Sequence, residues 1–416
     1  MQTRANEAQA ADSAITVTRC PIDHSAWPQQ KTARAGKLAT AAIGRDSVGR
    51  WQVRGFEEAR AILRSGNTKQ AGFNAEFLAR MPNMNQPILY QEGKIHQQQR
   101  KQTARFFTPK TVSTNYRQLM ERLADQMVAE LQRKKQADLS QLSLKLAVRV
   151  AAEVVGVTNS LMPGMDTRLD AFFQGKDVRN GWRHQLLRRI LGKQSNIVLF
   201  FFLDVKPAIR ARKRQPKEDV ISHLLSLNYS DAEILTECVT YAAAGMVTTR
   251  EFISVAAWHF LEHPALRERY LAAPEAERHA MLEETLRLEP IVGNLARRAT
   301  ADLQLESNGE QVVIPQGALI DIQIAQANLD ETITGEHPER LCPDRTLKND
   351  SIPAAVMGFG DGHHRCPGAY IAIQETDIFL QRLLSQENLR IERLPTVTWN
   401  DLTTGYELRN FLIAVD

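Results

Sequence analysis

Hydrophobic positions follow a helical spacing over most of the first two thirds of the chain. From about residue 94 to 285, apolar residues recur every three or four positions, with helices predicted over 119–132 and 142–155. The longest such pattern, over 231–262, predicts a helix of about 30 residues, long enough to cross a whole domain. Ser230 or Asp231 is its expected N-cap.

After about residue 296 the pattern becomes that of strands. Alternating segments at 303–306, 311–314 and 318–324 predict strands, and Asn308-Gly309 is a hairpin turn signal between the first two. A loop rich in proline, aspartate and glycine follows over 336–368, and a last helix is predicted from Ala369 to Leu384. These patterns predict a mainly α protein with a smaller β portion. We expect a loose arm over 1–30 and a single domain over 31–416.

Composition narrows the class of protein. The chain of 416 residues has 52 basic and 48 acidic side chains, and this balance does not favour a nucleic-acid partner. The four cysteines are far apart in sequence, which fits a reducing compartment better than a disulfide framework. The polar N-terminus lacks the apolar core of a signal peptide, and the apolar run at 197–203 is too short to span a bilayer. We therefore expect a cytoplasmic protein without a membrane anchor.

The loop before the last helix carries the most informative chemistry. Glycines surround Cys366, and they permit a close backbone approach to a flat ligand. The cysteine immediately precedes a predicted helix start, where free N–H groups and the helix dipole favour a thiolate. A single thiolate without a nearby cysteine or histidine pair suits an axial haem ligand better than a zinc site. A glycine-rich turn around a structural cysteine is the alternative.

The complete spacing favours the haem ligand. From Phe359 to Gly368 the loop reads Phe-x-x-Gly-x-x-x-Cys-x-Gly, and in this it resembles the haem-ligand signature of the cytochrome P450 family. The resemblance implies the P450 fold, with haem b between the long central helix and the cysteine loop. It also implies that Cys366 binds the iron and that Phe359, Gly360 and Gly368 contact the haem.

Two further sets of residues match the family in order and spacing. Glu284 and Arg287 form a Glu-x-x-Arg pair, and Arg340 of Pro338-Glu-Arg340 stands where the family's third network residue is expected. The resemblance implies a structural ion network for these three. It also implies that the haem propionates are bound by cationic or hydrogen-bond-donating side chains, namely His96, Arg100, Arg297 and His364.

The central helix departs from the family at one position. The resemblance implies that Ala244 and Gly245 leave room for dioxygen and that Thr248 assists proton delivery, but Val247 stands where the family has an acid. Valine cannot relay a proton. Water held by Thr248, a polar group of the substrate, or a reaction that avoids this route would each accommodate the valine. We favour water or substrate assistance. Glu251, one turn beyond Val247, is another candidate acid, although we expect it to face solvent or to form a pair on the helix.

The resemblance implies a monooxygenase that inserts one oxygen atom from O2 into a small, largely apolar molecule, for example in secondary metabolism. No Gly-x-Gly-x-x-Gly follows a predicted strand, and the chain has no evident space for a fused reductase. We therefore expect electrons from a separate ferredoxin or flavodoxin with its NAD(P)H reductase, and a monomeric enzyme. The alternatives are oxidative coupling, isomerisation or peroxide-driven oxidation, and a haem sensor or carrier without turnover. The presence of Thr248 and of the small pair Ala244-Gly245 disfavours a sensor or carrier.

Position alone suggests which residues line the substrate pocket. The segments are the loop at 87–89 before His96, the middle of the long helix, the stretch at 291–294 and the turn at 404–406. Their predicted lining residues are Leu89, Ala243, Met246, Ile291, Val292, Asn294 and Tyr406. None of them identifies the substrate.

Overall fold

The computed structural model describes residues 28–32, 41–72, 85–173, 195–400 and 403–416. Of the arm predicted at 1–30, residues 1–27 lie outside the described residues. At its end, the Pro28 carbonyl accepts the Leu341 N–H at 2.9 Å, and the Gln30 amide donates to the Leu288 carbonyl at 2.8 Å. Residues 28–30 are therefore held against the rest of the chain.

The helices of the first half follow the predicted apolar spacing. The predicted segments at 119–132 and 142–155 both lie within observed helices. The bounds are α1 Phe56–Arg64, α2 Gly93–Thr103, α3 Arg117–Lys134, α4 Leu139–Val155, α5 Met165–Phe173, α6 Ser195–Phe200, α7 Lys206–Arg214 and α8 Val220–Ser226. Asp138 begins α4 as its N-cap, accepting the Ser140 N–H at 3.0 Å, and Gly156 ends it with a φ of 98°.

The predicted long helix is present and is interrupted by one wide turn. It comprises α9 Asp231–Ala242, a π turn at Ala243–Val247 and α10 Thr248–Glu262. Ser230 caps it in a capping box with Glu233. Most residues of α10 are buried, since it packs against α4 on one side and against the last helix, α15 Ala369–Leu384, on another. The central helix is thus held within the core, and the π turn lies inside it.

The three predicted strands at 303–306, 311–314 and 318–324 are present, among further helices and strands. Asn308 and Gly309 both have positive φ angles, 52° and 79°, at the tip of the predicted hairpin. The helices are α11 Pro264–Ala272, α12 Glu275–Leu288, α13 Ile324–Ala327 and α14 Glu331–Thr334. The strands are β1 Ile43–Arg45, β2 Trp51–Val53, β3 Thr68–Gln70, β4 Gln136–Asp138, β5 Asn294–Ala299, β6 Leu303–Ser307, β7 Glu310–Ile314, β8 Leu319–Gln323, β9 Arg390–Arg393, β10 Thr396–Asn400, β11 Gly405–Arg409 and β12 Leu412–Ala414.

The largest sheet joins distant parts of the chain. Its order is β1-β2-β8-β5-β3, with β2 and β8 parallel and the other neighbours antiparallel. A smaller hydrophobic cluster lies between this sheet and α1, while the larger cluster fills the space among α3, α4, α10 and α15. The cysteine loop therefore leads from the β-rich side into the helical core through α15.

The ion network around Glu284 contains a different third residue from the predicted one. Arg287 donates to the Glu284 carboxylate at 2.6 and 2.9 Å, and Arg345 donates to it at 3.0 Å. The prediction for Arg340 is wrong, because only its backbone carbonyl takes part, accepting from Arg287 at 3.1 Å and from Arg345 at 2.9 Å.

The local geometry explains this difference. The Cys342 N–H donates to Glu284 at 2.9 Å, which brings the chain after Cys342 over the carboxylate. The sequence contains a second Pro-x-Arg, Pro343-Asp-Arg345, five positions after the first. The backbone of Arg340 instead forms a bridge with Gln29.

Exchanging Arg345 for alanine should destabilise the protein far more than the same change at Arg340. We expect Arg345→Ala to lower the free energy of unfolding by about 3–5 kcal/mol, because it leaves buried charge without its partner. Arg340→Ala keeps the carbonyl and should cost about 1 kcal/mol or less. Denaturant unfolding of both variants measures this, and equal losses would contradict the assignment.

None of the described helices is long and apolar enough to cross a membrane.

Candidate active site

Hydrogen bonds fix the shape of the loop around Cys366. Its N–H donates to the Phe359 carbonyl at 2.9 Å, which closes the loop on itself. Gly360 and Gly362 have φ angles of 67° and 65°, a conformation that favours glycine. At Gly362 a Cβ would stand 2.1 Å from the Leu63 carbonyl oxygen, so this glycine also permits close packing against the end of α1.

The Cys366 thiol is set apart from the other described thiols by its exposure. Cys238 and Cys342 are buried, whereas the Cys366 side chain is exposed although the position is deep within the protein. Burial raises the pKa of this thiol, while the Gly368 N–H and the guanidinium groups of Arg100 and Arg365 lower it. A sulfur that is surrounded by protein and still accessible has the position that a metal ligand requires.

Four groups predicted to bind the propionates lie around this loop. The His96 and His364 rings are stacked with centroids 4.1 Å apart, and Arg100 donates to the Arg365 carbonyl at 2.5 Å. Arg297 is buried and donates to the Gln70 side chain at 2.5 Å. Their convergence places cationic and donor groups from α2, β5 and the cysteine loop at one location.

Sequence reasoning missed the acceptors that join these groups. Glu92 accepts the Gln70 N–H at 2.7 Å and lies 3.0 Å from the His364 imidazole. Glu92 precedes His96 by one helical turn in sequence, a spacing that would have placed it beside the cluster. Hydrogen bonds and a charge interaction with His364 keep the pKa of Glu92 low, although burial opposes this.

The cluster has more donors than acceptors. Burial, with His364 and Arg100 nearby, lowers the pKa of His96 to about 4, and burial lowers that of Arg297 to about 10. The Nε2 atom of Gln70 is buried without a hydrogen-bond partner in the described part of the chain. Additional carboxylates would relieve this crowding of cationic groups. The residues therefore fit the two propionates of a haem whose iron Cys366 would bind.

The middle of the central helix has both an accessible and a buried side. Ala244 is exposed and Thr248 half-buried, while Met246 and Val247 are buried. The Thr248 hydroxyl donates to the Ala244 carbonyl at 2.6 Å across the π turn. A Cβ on Gly245 would meet Ala151 of α4 at 3.7 Å, so this glycine faces the neighbouring helix.

Glu251 has a structural position, one turn beyond Val247. Its carboxylate accepts the Leu408 N–H and an Arg409 guanidinium, both at 2.7 Å, and Arg250 at 2.8 Å. It therefore ties the central helix to β11 and is not available as a substitute for the missing acid.

The predicted pocket residues fall into two groups. Leu89, Ala243, Val292 and Asn294 are half-buried, as lining residues would be. Met246 and Ile291 belong to the hydrophobic core. The prediction for Tyr406 is wrong, because the ring is buried in that core and its hydroxyl donates to the Glu289 carbonyl at 3.0 Å.

Comparison with known proteins agrees with this geometry. The family model for cytochrome P450 matches residues 279–401. The Biotin biosynthesis cytochrome P450 of Bacillus subtilis (strain 168) is 27% identical over 365 residues, covering 86% of each chain. The Polyketide biosynthesis cytochrome P450 PksS of the same strain is 26% identical over 307 residues, covering 72% of this chain and 70% of the relative.

Solved structures share the fold. The P450BioI structure in complex with hexadec-9Z-enoic acid ligated Acyl Carrier Protein superposes with a TM-score of 0.71 at 24% identity, covering 90% of this chain and 94% of that one. The CalO2 structure gives a TM-score of 0.72 at 20% identity, covering 90% and 93%. The family model, the curated relatives and the shared fold together support a bacterial-type cytochrome P450. This P450 is accordingly a haem enzyme of the monooxygenase class, with haem b as its cofactor.

Arg297 and its neighbour Arg298 offer a matched test of the propionate cluster in this P450. Their side chains lie on opposite faces of β5, because the side chains of successive strand residues alternate between the two faces of a sheet. Arg297→Gln should increase the rate of haem loss roughly tenfold or more, because a hydrogen bond to a charged group contributes about 1.5–3 kcal/mol. Arg298→Gln should leave the rate nearly unchanged. Haem transfer to apomyoglobin measures both rates, and an equal effect would argue against the cluster.

Proposed function

We propose that this P450 binds haem b through the Cys366 thiolate and inserts one oxygen atom from O2 into a small, largely apolar substrate. The observation that carries the proposal is the exposed Cys366 sulfur deep within the protein, beside a cluster rich in cationic groups. Haem with a thiolate ligand supplies reductive activation of dioxygen, because the thiolate pushes electron density towards the iron. The named relatives in biotin and polyketide biosynthesis support a role in secondary metabolism.

The chain's own residues favour the charged form of Cys366, although burial outweighs them. The Gly368 N–H and the guanidinium groups of Arg100 and Arg365 lower the pKa of the thiol and so offset part of the effect of burial. The loop's hydrogen bond from the Cys366 N–H to the Phe359 carbonyl fixes the sulfur in position. Ligand binding thus requires little rearrangement of the loop.

Proton supply near the central helix uses Thr248 without an acid beside it. Because its hydroxyl donates to the Ala244 carbonyl, its lone pairs are directed to accept from a water molecule. Val247 offers no proton. We therefore assign Thr248 the role of orienting water above the haem, as water-assisted delivery requires.

Glu375 of α15 is a second source of protons. The carboxyl is fully within the protein, burial raises its pKa well above the usual value, and it forms a hydrogen bond with Thr249, the residue after Thr248. A carboxyl of raised pKa holds its proton more readily than an exposed one and can pass it to a neighbouring hydroxyl or water. In this proposal Glu375, with water, compensates for Val247.

Electrons come from a separate carrier in this proposal, a ferredoxin or flavodoxin with its NAD(P)H reductase. The second candidate function is peroxide-driven oxidation or oxidative coupling, and the observation that favours it is the buried, apolar Val247. Either function acts on a small organic molecule.

Oxygen labelling separates the two functions. A collection of small organic compounds is first screened against the ferric protein. The test substrate is the compound that gives the largest low-spin to high-spin shift. With NADPH, a surrogate ferredoxin and its reductase, we expect product that carries one atom from isotopically labelled dioxygen. Product formed only with peroxide, or coupled product without labelled oxygen, would contradict monooxygenation.

Two variants test the source of protons in the same assay. Glu375→Gln keeps the shape but removes the acid, and we expect product per NADPH consumed to fall roughly tenfold or more. Val247→Asp should change this ratio by less than about threefold if Glu375 and water already deliver protons. The proposal would be contradicted if product per NADPH were unchanged in Glu375→Gln and rose strongly in Val247→Asp. That result would mean that Glu375 does not supply the protons that Val247 cannot.

A further inference from the structure

Glu237 is a buried carboxyl to which the proposed chemistry assigns no role. It lies on α9, is 3% exposed, and accepts the Ile88 N–H at 3.0 Å through Oε1. Its Oε2 atom is also buried and has no hydrogen-bond partner among the described residues. A buried oxygen in this state is costly unless something binds to it.

Among the described residues, no cation pairs with Glu237. The side chains that interact with it there are the phenols of Tyr229 and Tyr241 and the thiol of Cys238. Glu233 adds negative charge near Tyr229, and Asp219 near Cys238, while the Arg100 guanidinium acts on Tyr241. Burial raises the pKa of Glu237 to about 7, and the Ile88 N–H only partly offsets this.

Most of the other buried carboxylates in the described part of the chain are neutralised within the protein, with Glu375 as an exception. Arginine side chains form ion pairs with the carboxylates of Asp204, Asp219, Glu251, Glu284 and Asp377. Glu237 differs from these five because its hydrogen-bond partner among the described residues is a backbone N–H. Glu237 could serve only to anchor the turn at Ile88–Tyr90. That role needs only Oε1, and it does not explain why Oε2 is buried without a partner among the described residues.

The position of Glu237 relates it to the haem site. Tyr241 lies one turn further along α9, and it interacts with Arg100 and Thr103 of α2. Arg100 in turn reaches the Arg365 carbonyl beside Cys366. Glu237 therefore lies on the side of α9 that faces α2, next to the predicted pocket segment at 87–89. It is about 16 Å along the helix from Thr248, from the helical rise per residue.

We propose that Glu237 binds the ammonium group of an amine substrate, at the end of the pocket remote from Cys366. An ammonium would supply both the hydrogen bond that Oε2 lacks and the missing positive charge. The substrate class is then a long apolar molecule with a terminal amine, held with its apolar end towards the haem. This inference rests on the proposed haem-thiolate function.

Titration of the ferric holoprotein with dodecylamine tests the binding orientation. With its ammonium on Glu237 the ligand places its alkyl end near the iron, so we expect a low-spin to high-spin, blue-shifted Soret band. In Glu237→Gln, which keeps an acceptor for the Ile88 N–H, affinity should fall roughly tenfold or more. The amine is then free to ligate iron, and the Soret band should shift to the red.

Matched controls isolate the carboxyl. Glu233→Gln makes the same change one turn earlier on the same helix, where glutamine can still complete the capping box, and it should behave as wild type. Dodecyl methyl ether lacks a donor, and its affinity for the wild type and Glu237→Gln should agree within about twofold. A red shift in the wild type, or equal dodecylamine affinity in the wild type and Glu237→Gln, would overturn the proposal.

The pH dependence gives a second measurement on the wild type alone. Glu237 gains charge as pH rises from 6 to 8, since its pKa is about 7, while an alkylammonium with a pKa near that of lysine, about 10.4, stays protonated. Dodecylamine affinity should therefore increase over this range, and constant affinity would overturn the proposal even if Glu237→Gln fails to retain haem. A normal ferrous–CO spectrum in the same preparations shows that such a failure concerns Glu237 and not the haem-thiolate function.

Discussion

The proposed chemistry depends on a Cys366 thiolate at a position where burial opposes its charge. Desolvation raises the pKa of Cys366, and the protein opposes it with the Gly368 N–H and the guanidinium groups of Arg100 and Arg365. These groups come from α2, from the loop itself and from the start of α15. The loop can hold such a sulfur only because α15 and α10 are fixed in the core and because glycines let the backbone pack against α1.

The ion network around Glu284 also helps to hold the cysteine loop in position. Glu284, Arg287 and Arg345 join α12 to the segment that leads into the cysteine loop, and each charge is satisfied by a partner or by a backbone carbonyl. By contrast, the cluster of His96, Arg100, Arg297 and His364 has excess donors. The satisfied network around Glu284 thus belongs to the scaffold, whereas the excess donors of the second cluster suit the binding of an anionic ligand. Glu237 likewise has a buried atom that no described residue satisfies, and because its carboxylate is negative the proposed ligand is a cation.

Much of the fold could be predicted because local patterns specify it. The long helix, its Ser230 cap, the hairpin at Asn308-Gly309 and the last helix each depend on residues close in sequence. The choice between Arg340 and Arg345 could not be made in this way, since two Pro-x-Arg segments lie five positions apart. Only the path of the chain over Glu284, set by the Cys342 N–H, decides between them. Glu375 and Glu237 escaped prediction because their hydrogen-bond partners, Thr249 and Ile88, are distant in sequence.

The central claim is that the Cys366 thiolate binds the haem iron, and the ferrous–CO absorption spectrum tests it most directly. We expect a strongly red-shifted Soret band for the wild-type holoprotein and for Cys342→Ala, which removes another thiol and keeps the backbone N–H that Glu284 binds. Cys366→Ser should lose that band, because it lacks the thiolate. A Soret band at the position typical of histidine-ligated haem in well-folded wild-type protein, or an unchanged band in Cys366→Ser, would contradict the claim.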